Sequence, residues 1–223
     1  MAKEIVLFGL YSIVHLLAIL TITKESYFFL PSKIIPILIL IVSLVRFWGE
    51  LQKRGKLVVL ALIFSAFGDS FLALPGEKFF VPGLGSFLLA QLIYAYAFSI
   101  GSTLKLKLSL PFLAFGGVFF ALLVPKLGVL LIPVAVYIAA ICLMGWRAAA
   151  RVSQAHAYRC GLIGAITFMA SDSIIAYSMF LNPHMDRLLA SMLIMITYYL
   201  AQALLYESVK VEELILKEDP KST

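Results

Sequence analysis

The stretch LVVLALIFSAFGDSFLALP, residues 57–75, carries a single ionisable side chain, Asp69, in a run that is otherwise soluble in lipid. A bilayer core of about 30 Å needs about 20 apolar residues at about 1.5 Å each, so this stretch reads as one membrane-spanning helix with a carboxylate inside it. Working outward, seven more runs of similar character appear. They place helices at 5–22, 31–48, 56–74, 79–100, 108–124, 128–146, 159–181 and 188–206, separated by charges, Gly and Pro. The whole chain follows suit: 223 residues, 62% hydrophobic, 13% charged, mean hydropathy +1.02. A soluble domain of this size would lack polar surface, so the fold class is an all-α membrane protein, an eight-transmembrane-helix bundle forming a single transmembrane domain over 1–223.

The formal charge of +6 comes from Lys and Arg in short connections, which reads as topology and contact with the lipid bilayer. No basic patch interleaved with aromatics is present, so no nucleic acid partner is expected. One side of an eight-helix arrangement holds Lys3, Arg46, Lys53, Arg54, Lys56, Lys105, Lys107, Arg147, Arg151, Arg159, Lys210, Lys217 and Lys221. The other holds only Lys24, Lys33, Lys78, Lys126 and Arg187. By the positive-inside rule both termini are expected to be cytoplasmic, with 207–223 a cytoplasmic tail that extends helix 8 a little and then frays. Trp48 and Trp146 then fall at cytoplasmic helix ends, where indoles favour the interface. The first apolar run lacks a small-x-small cleavage pattern after it and is expected to be retained. In a bacterium the location would be the plasma membrane.

Asp69 has an echo. AFGDSFLAL (66–74) and MASDSIIAY (169–177) each place Asp-Ser after a small residue, with Asp69 and Asp172 each 13 residues beyond a basic flank, Lys56 and Arg159. That spacing puts both carboxylates about 20 Å from the cytoplasmic ends of their helices, at one depth. The next helices match as well: LAQLIYA (89–95) and LAQALLY (200–206). Helices 3–4 and 7–8 therefore read as a parallel internal repeat, whose axis lies along the membrane normal.

A charge at bilayer depth costs at least about 2.5–3.5 kcal/mol, so Asp69 and Asp172 are expected to face the bundle interior and to act in chemistry rather than only in structure. Desolvation and mutual repulsion favour one neutral acid beside one anion. Gln91 and Gln202 are candidates for orienting water or a substrate oxygen, with interhelical amide bonding the structural alternative. Tyr94, Tyr198 and Tyr199 are candidates for lining the same cavity, against a role as belt aromatics. Lys33, at the outer end of helix 2, is read either as a snorkelling anchor, which is favoured, or as the partner of a lipid phosphate. Ser65, one turn before Asp69, is expected to bond to the backbone. His15 reads as a packed neutral imidazole. His156 and His184 fall on opposite sides, so the three histidines cannot share one metal, and no metal or cofactor is expected. Cys142 and Cys160 are expected to be free thiols. No nucleophile elbow, phosphate loop or Cys-His pair occurs.

These motifs together carry a family resemblance. FSAFGDSFLALP, GSFLLAQLIYAYAF, GAITFMASDSIIAY and ITYYLAQALL, with KIIPI at 33–37, resemble the YhhN family of membrane proteins, and the resemblance spans most of the chain. Gln91 stands where family members often carry His, a departure that argues against a mechanism needing an imidazole there. What the resemblance implies is a lysoplasmalogenase: hydrolysis of the vinyl ether of a single-chain ether phospholipid to a fatty aldehyde and a glycerophospho-base. The residues suit this chemistry. Protonation of the vinyl ether carbon creates an oxocarbenium ion to which water adds, and two carboxyls divide that work as they do in glycoside hydrolysis. Two other classes remain open from sequence: a transporter or proton-coupled carrier using the same carboxylates, and a lipid-binding membrane protein without turnover. Oligomeric state is not legible.

Overall fold

A computed structural model describes residues 2–23 and 26–218. Lys24, counted above among the outer basic residues, and the last part of the tail, 219–223 with Lys221, lie outside the described residues. Among the described residues the fold is all-helical, with eight α-helices: α1 (Ala2–Thr21), α2 (Phe29–Val45), α3 (Lys53–Ala73), α4 (Phe80–Ser99), α5 (Leu110–Leu127), α6 (Leu131–Ala150), α7 (Ala155–Ala176) and α8 (Arg187–Glu218). Short 3-10 turns precede α4, α5 and α6, and α7 runs on into a π-helical turn at Tyr177–Leu181. The expected boundaries fall within a few residues of these, with one correction. α8 does not stop near 206 but continues to Glu218, because the Glu, Lys and Leu residues of the tail are good helix formers although they are too polar for a membrane pattern.

Among the described residues, six helical stretches are long and apolar enough to cross a membrane, at 3–21, 53–73, 80–99, 106–150, 155–181 and 187–211, and α2 is a shorter apolar helix beside them. The stretch 106–150 contains both α5 and α6, which turn back on each other at Gly128, whose φ of +49° suits only glycine well. The chain is a multi-pass integral membrane protein.

Consecutive helices run antiparallel, as their contacts show. In the α3–α4 hairpin Gly68 faces Phe87 and Gly83 faces Leu72; in α5–α6 Gly116 faces Cys142; in α7–α8 Gly161 faces Ser208 and Gly164 faces Leu205. Each pair is equidistant from its own turn. The α7–α8 and α3–α4 contacts are the most extensive in the bundle, and α5 packs chiefly on α6. Glu4 of α1 lies within electrostatic reach of Lys210 on α8, so the two ends of the bundle's chain path meet at one end of the structure. The opposite end, where α2, α4 and α8 begin, is called the far end below.

Without a hydrophobic force between helices in lipid, close approach depends on small residues at the contact. Gly164 is the sharpest case: a Cβ there would stand 3.0 Å from the backbone nitrogen of Leu205, which cannot swing away. Most of the buried side chains form one core, and Leu123, Leu127 and Val134 form a second, smaller one between α5 and α6 at the far end. Gly164→Leu should force α7 from α8 and destabilise by about 1–3 kcal/mol, a fall of several degrees in the melting point of the detergent-purified protein. Gly9→Leu, at a site with nothing within 4 Å, should leave the melting point unchanged.

Candidate functional site

Asp69 stands four residues before the end of α3, and Asp172 four residues before the end of α7. Both are therefore at one level, one turn from the far end of their helices. Antiparallel packing brings polar side chains from neighbouring helices to the same level: His15 (α1), Lys33 (α2), Gln91 (α4), Tyr137 (α6) and Tyr198 (α8). The result is one polar layer across an apolar bundle.

Asp69 is 2% exposed and both its oxygens are engaged. Oδ1 meets the Lys33 ammonium at 3.2 Å, and Tyr198 donates its hydroxyl to Oδ2 at 2.6 Å. Lys33 also reaches the backbone oxygen of Asp69 at 3.5 Å. This corrects one sequence reading: Lys33 is no snorkelling anchor but is 8% exposed, turned inward and paired with Asp69 at its depth. The pairing is possible because Lys33 sits one turn into α2 and Asp69 one turn from the end of antiparallel α3, so the Lys stem spans only the gap between two adjacent helices.

The network continues into α8 and α4. Gln202 Nε2 donates to the Tyr198 hydroxyl at 3.1 Å, and Tyr94 donates to Gln202 Oε1 at 2.8 Å. Tyr199 donates to the backbone oxygen of Lys33 at 2.9 Å. All four side chains are buried. Tyr94 and Gln202 lie deep in the bundle and brace Tyr198, which braces Asp69.

Asp172 has a different environment. Gln91 Nε2 donates to Oδ2 at 2.9 Å and Tyr137 donates to the same oxygen at 2.6 Å. Both partners are neutral and both fall on Oδ2, which leaves Oδ1 as the oxygen free to carry a proton. The Gln91 carbonyl oxygen is buried and has no hydrogen-bond partner among the described residues. The two carboxylates lie within electrostatic reach of each other. Tyr137 escaped the sequence reading, although it is the one hydroxyl in LIPVAVYIAAICLMGW (131–146) and so was the available signal.

Two further expectations resolve. The Ser65 hydroxyl bonds neither to Asp69 nor to the backbone; it is buried without a partner. His15 is packed as expected, 1% exposed against the rings of Phe29 and Tyr199. Ser32 donates its own proton to the Phe29 carbonyl at 2.7 Å, so the 2.9 Å contact between His15 Nδ1 and Ser32 Oγ needs the hydrogen on Nδ1. Nε2 is then left as an acceptor.

Two hollows adjoin the polar layer. The larger, about 560 Å³, opens at the far end and has His15, Lys33, Ser178, Arg187 and Ser191 among its walls. The smaller is a slot of about 70 Å³ between α4, α5, α6 and α7, almost wholly apolar, with Asp172 and Tyr137 in its wall. Leu72, Phe80 and Ile175 line both hollows and form the partition between them. The arrangement can hold an amphiphile across a paired and a less constrained carboxyl group.

The chain is 39% identical over 153 residues to lysoplasmalogenase TMEM86A of Homo sapiens, covering 66% of this chain and 62% of that protein. It is 36% identical over 154 residues to lysoplasmalogenase TMEM86A of Bos taurus, with the same shares covered. It is 33% identical over 183 residues to lysoplasmalogenase TMEM86B of Homo sapiens, covering 81% of this chain and 74% of that protein. The match thus spans about three-fifths of the length of each TMEM86A protein. No solved structure matches the chain. The model of the YhhN family matches residues 28–209, a segment that contains both aspartates and every partner named for them above, and the chain belongs to the YhhN family.

Proposed function

We propose that this protein is a membrane-embedded hydrolase that cleaves the vinyl ether bond of a lysoplasmalogen, releasing a fatty aldehyde and a glycerophospho-base. The observation that carries the reading is the unequal dressing of two neighbouring carboxyls, one buried and one half-buried: Asp69 held by a cation, Asp172 held only by neutral donors on one oxygen. The names of the relatives point to the same reaction.

The division of labour follows from those partners. Asp172 is the acid, because Gln91 and Tyr137 fix Oδ2 and leave Oδ1 to present the proton toward the slot. Transfer of that proton to the vinyl carbon beta to oxygen makes an oxocarbenium ion, whose positive charge Asp69 stabilises across the layer. The resulting Asp172 carboxylate then takes a proton from the attacking water, and the hemiacetal formed collapses to aldehyde and alcohol. The Gln91 carbonyl oxygen, an unpartnered acceptor beside Asp172, is the group that orients that water. Tyr198 and Lys33 are positioning residues for Asp69. The ionisation state of the pair belongs to both groups together.

The sequence expectations of topology belong to the same reading. The protein is one transmembrane domain crossing eight times, with both termini cytoplasmic and the far end on the opposite side, as the thirteen-to-five split of Lys and Arg indicates. A lyso-lipid headgroup then sits in the larger hollow, near Lys33 and Arg187.

Mass spectrometry of purified protein in detergent micelles, incubated with lyso-lipids that differ only in ester, alkyl ether or vinyl ether linkage, should find aldehyde from the vinyl ether alone. Equal loss of all three, or of none, would refute the reading, and turnover without a sealed compartment separates an enzyme from a carrier. Asp69→Asn and Asp172→Asn should each lower aldehyde release at least about 100-fold. Wild-type rates in either variant would remove that residue from the mechanism. Lys33→Met leaves Asp69 buried without its cation and should destabilise by about 3–5 kcal/mol. The double change Lys33→Met with Asp69→Asn should recover much of that stability in a thermal melt while remaining inactive.

A further inference from the structure

The slot beside Asp172 has a property that the reaction alone does not require. It is apolar over nearly all of its wall, and it reaches from the partition at Leu72, Phe80 and Ile175 to Leu123 and Val134 of the small second core and to Gly116, Cys142 and Met169 deeper in the bundle. Phe115 belongs to the slot's wall and is also 47% exposed, so one side of the slot lies at the lipid-facing surface of the bundle. Phe115 stacks on Phe119 with ring centres 5.8 Å apart, giving α5 a flat aromatic face along the slot. α5 is the one α-helix that adds nothing to the polar layer, and its packing is chiefly on α6.

The π-helical turn at Tyr177–Leu181 follows closely on Ile175 of that partition. Ala176 and Phe180 face the slot, whereas Ser178 and Met179 face the larger hollow. One turn with an extra residue therefore gives α7 an apolar wall on one side and a mixed wall on the other.

We propose that the slot is the hydrocarbon-chain site and that the side chains where it meets the second core, Phe119, Leu123 and Val134, set the chain length the protein accepts. The proposal rests on the hydrolase reading and gives it a direction. With the headgroup in the larger hollow and the chain in the slot, the bond at the head of the chain lies over the partition, between Lys33–Asp69 and Asp172–Tyr137. The first carbons occupy the slot, and its lipid-facing side at Phe115 is the way in from the bilayer. The occupant is single-chained, because the slot has only about 70 Å³ of free space and its walls on the α4 and α6 sides belong to the main core.

Binding separates this proposal from the chemistry. A long-chain and a short-chain alkyl-ether lyso-phospholipid with the same headgroup, neither of which has a vinyl ether to cleave, are titrated onto the purified protein and followed by native mass spectrometry. Val134→Phe, which narrows the slot beside the second core, should weaken the long-chain lipid relative to the short by about tenfold. Phe119→Ala, which widens it, should shift the same ratio toward the long chain. A ratio unchanged in both variants, each with a melting point near that of the unaltered protein, would overturn the proposal. If the unaltered protein releases no aldehyde from a vinyl ether lyso-lipid yet the ratio moves as described, the hydrolase reading falls and the chain site stands.

Discussion

A carboxylate at the depth of Asp69 must find a partner inside the protein, and the ion pair with Lys33 is the contact on which the rest of the site depends. In lipid there is no water to soften an unpaired charge, so the position of Lys33 on α2 fixes where α3 can lie, and the Tyr198 hydroxyl then fixes α8 against both. Tyr199 ties the backbone of Lys33 to the same helix, and Ser43, nearly three turns further along α2 and close to its other end, donates to Tyr206 at 2.8 Å. α2 and α8 are therefore joined by hydrogen bonds at two levels. A pair that is so held contributes little net stability, since desolvation of both ions offsets most of their attraction. What it supplies is a defined geometry.

The two halves that look alike in sequence do not carry the same site. Aligning Gln91 with Gln202 places Phe87 opposite Tyr198, so one half offers a hydroxyl to its neighbour's aspartate where the other offers a bare ring. Phe87 instead packs edge-on against Tyr198, with ring centres 5.8 Å apart. Gln202 departs from symmetry as well, since it bridges Tyr94 and Tyr198 while Gln91 bonds to Asp172 directly. A repeat with identical partners would have produced two equivalent carboxyl groups and no reason for one to be the acid. The departures from symmetry are where the chemistry can reside.

The helices were legible because bilayer thickness sets their length, and the two aspartates because an ionisable residue in an apolar run has few explanations. What the sequence hid were facts of direction. Lys33 lies one turn from a helix end, and from there a long stem reaches the membrane surface or the neighbouring helix equally well; only the position of α3 decides between them. Tyr137 is a lone hydroxyl in an apolar helix, which is also how a belt tyrosine looks. Ser65 lies on the face of Asp69 but one turn away, and Lys33 and Tyr198 already occupy both carboxylate oxygens. The π-helical turn has no composition of its own in YSMFL, because it follows from the packing of Phe180 against the second core.

Under the proposed reaction the separation into two compartments answers a difficulty in pairing an acid with a nearby anion. Two carboxyl groups joined through a common pool of water would share protons and act as one buffer. Here Lys33, beside Asp69, opens on the larger hollow, and Asp172 opens on the slot, with Leu72, Phe80 and Ile175 between. A chain lying across that partition closes the slot to water while the acid is in use. The proton on Asp172 then has the vinyl carbon before it and little else to protonate, and water gains access to the cation only from the side of the headgroup. The order of steps that the chemistry requires, protonation before hydration, is thus an order of access to two compartments.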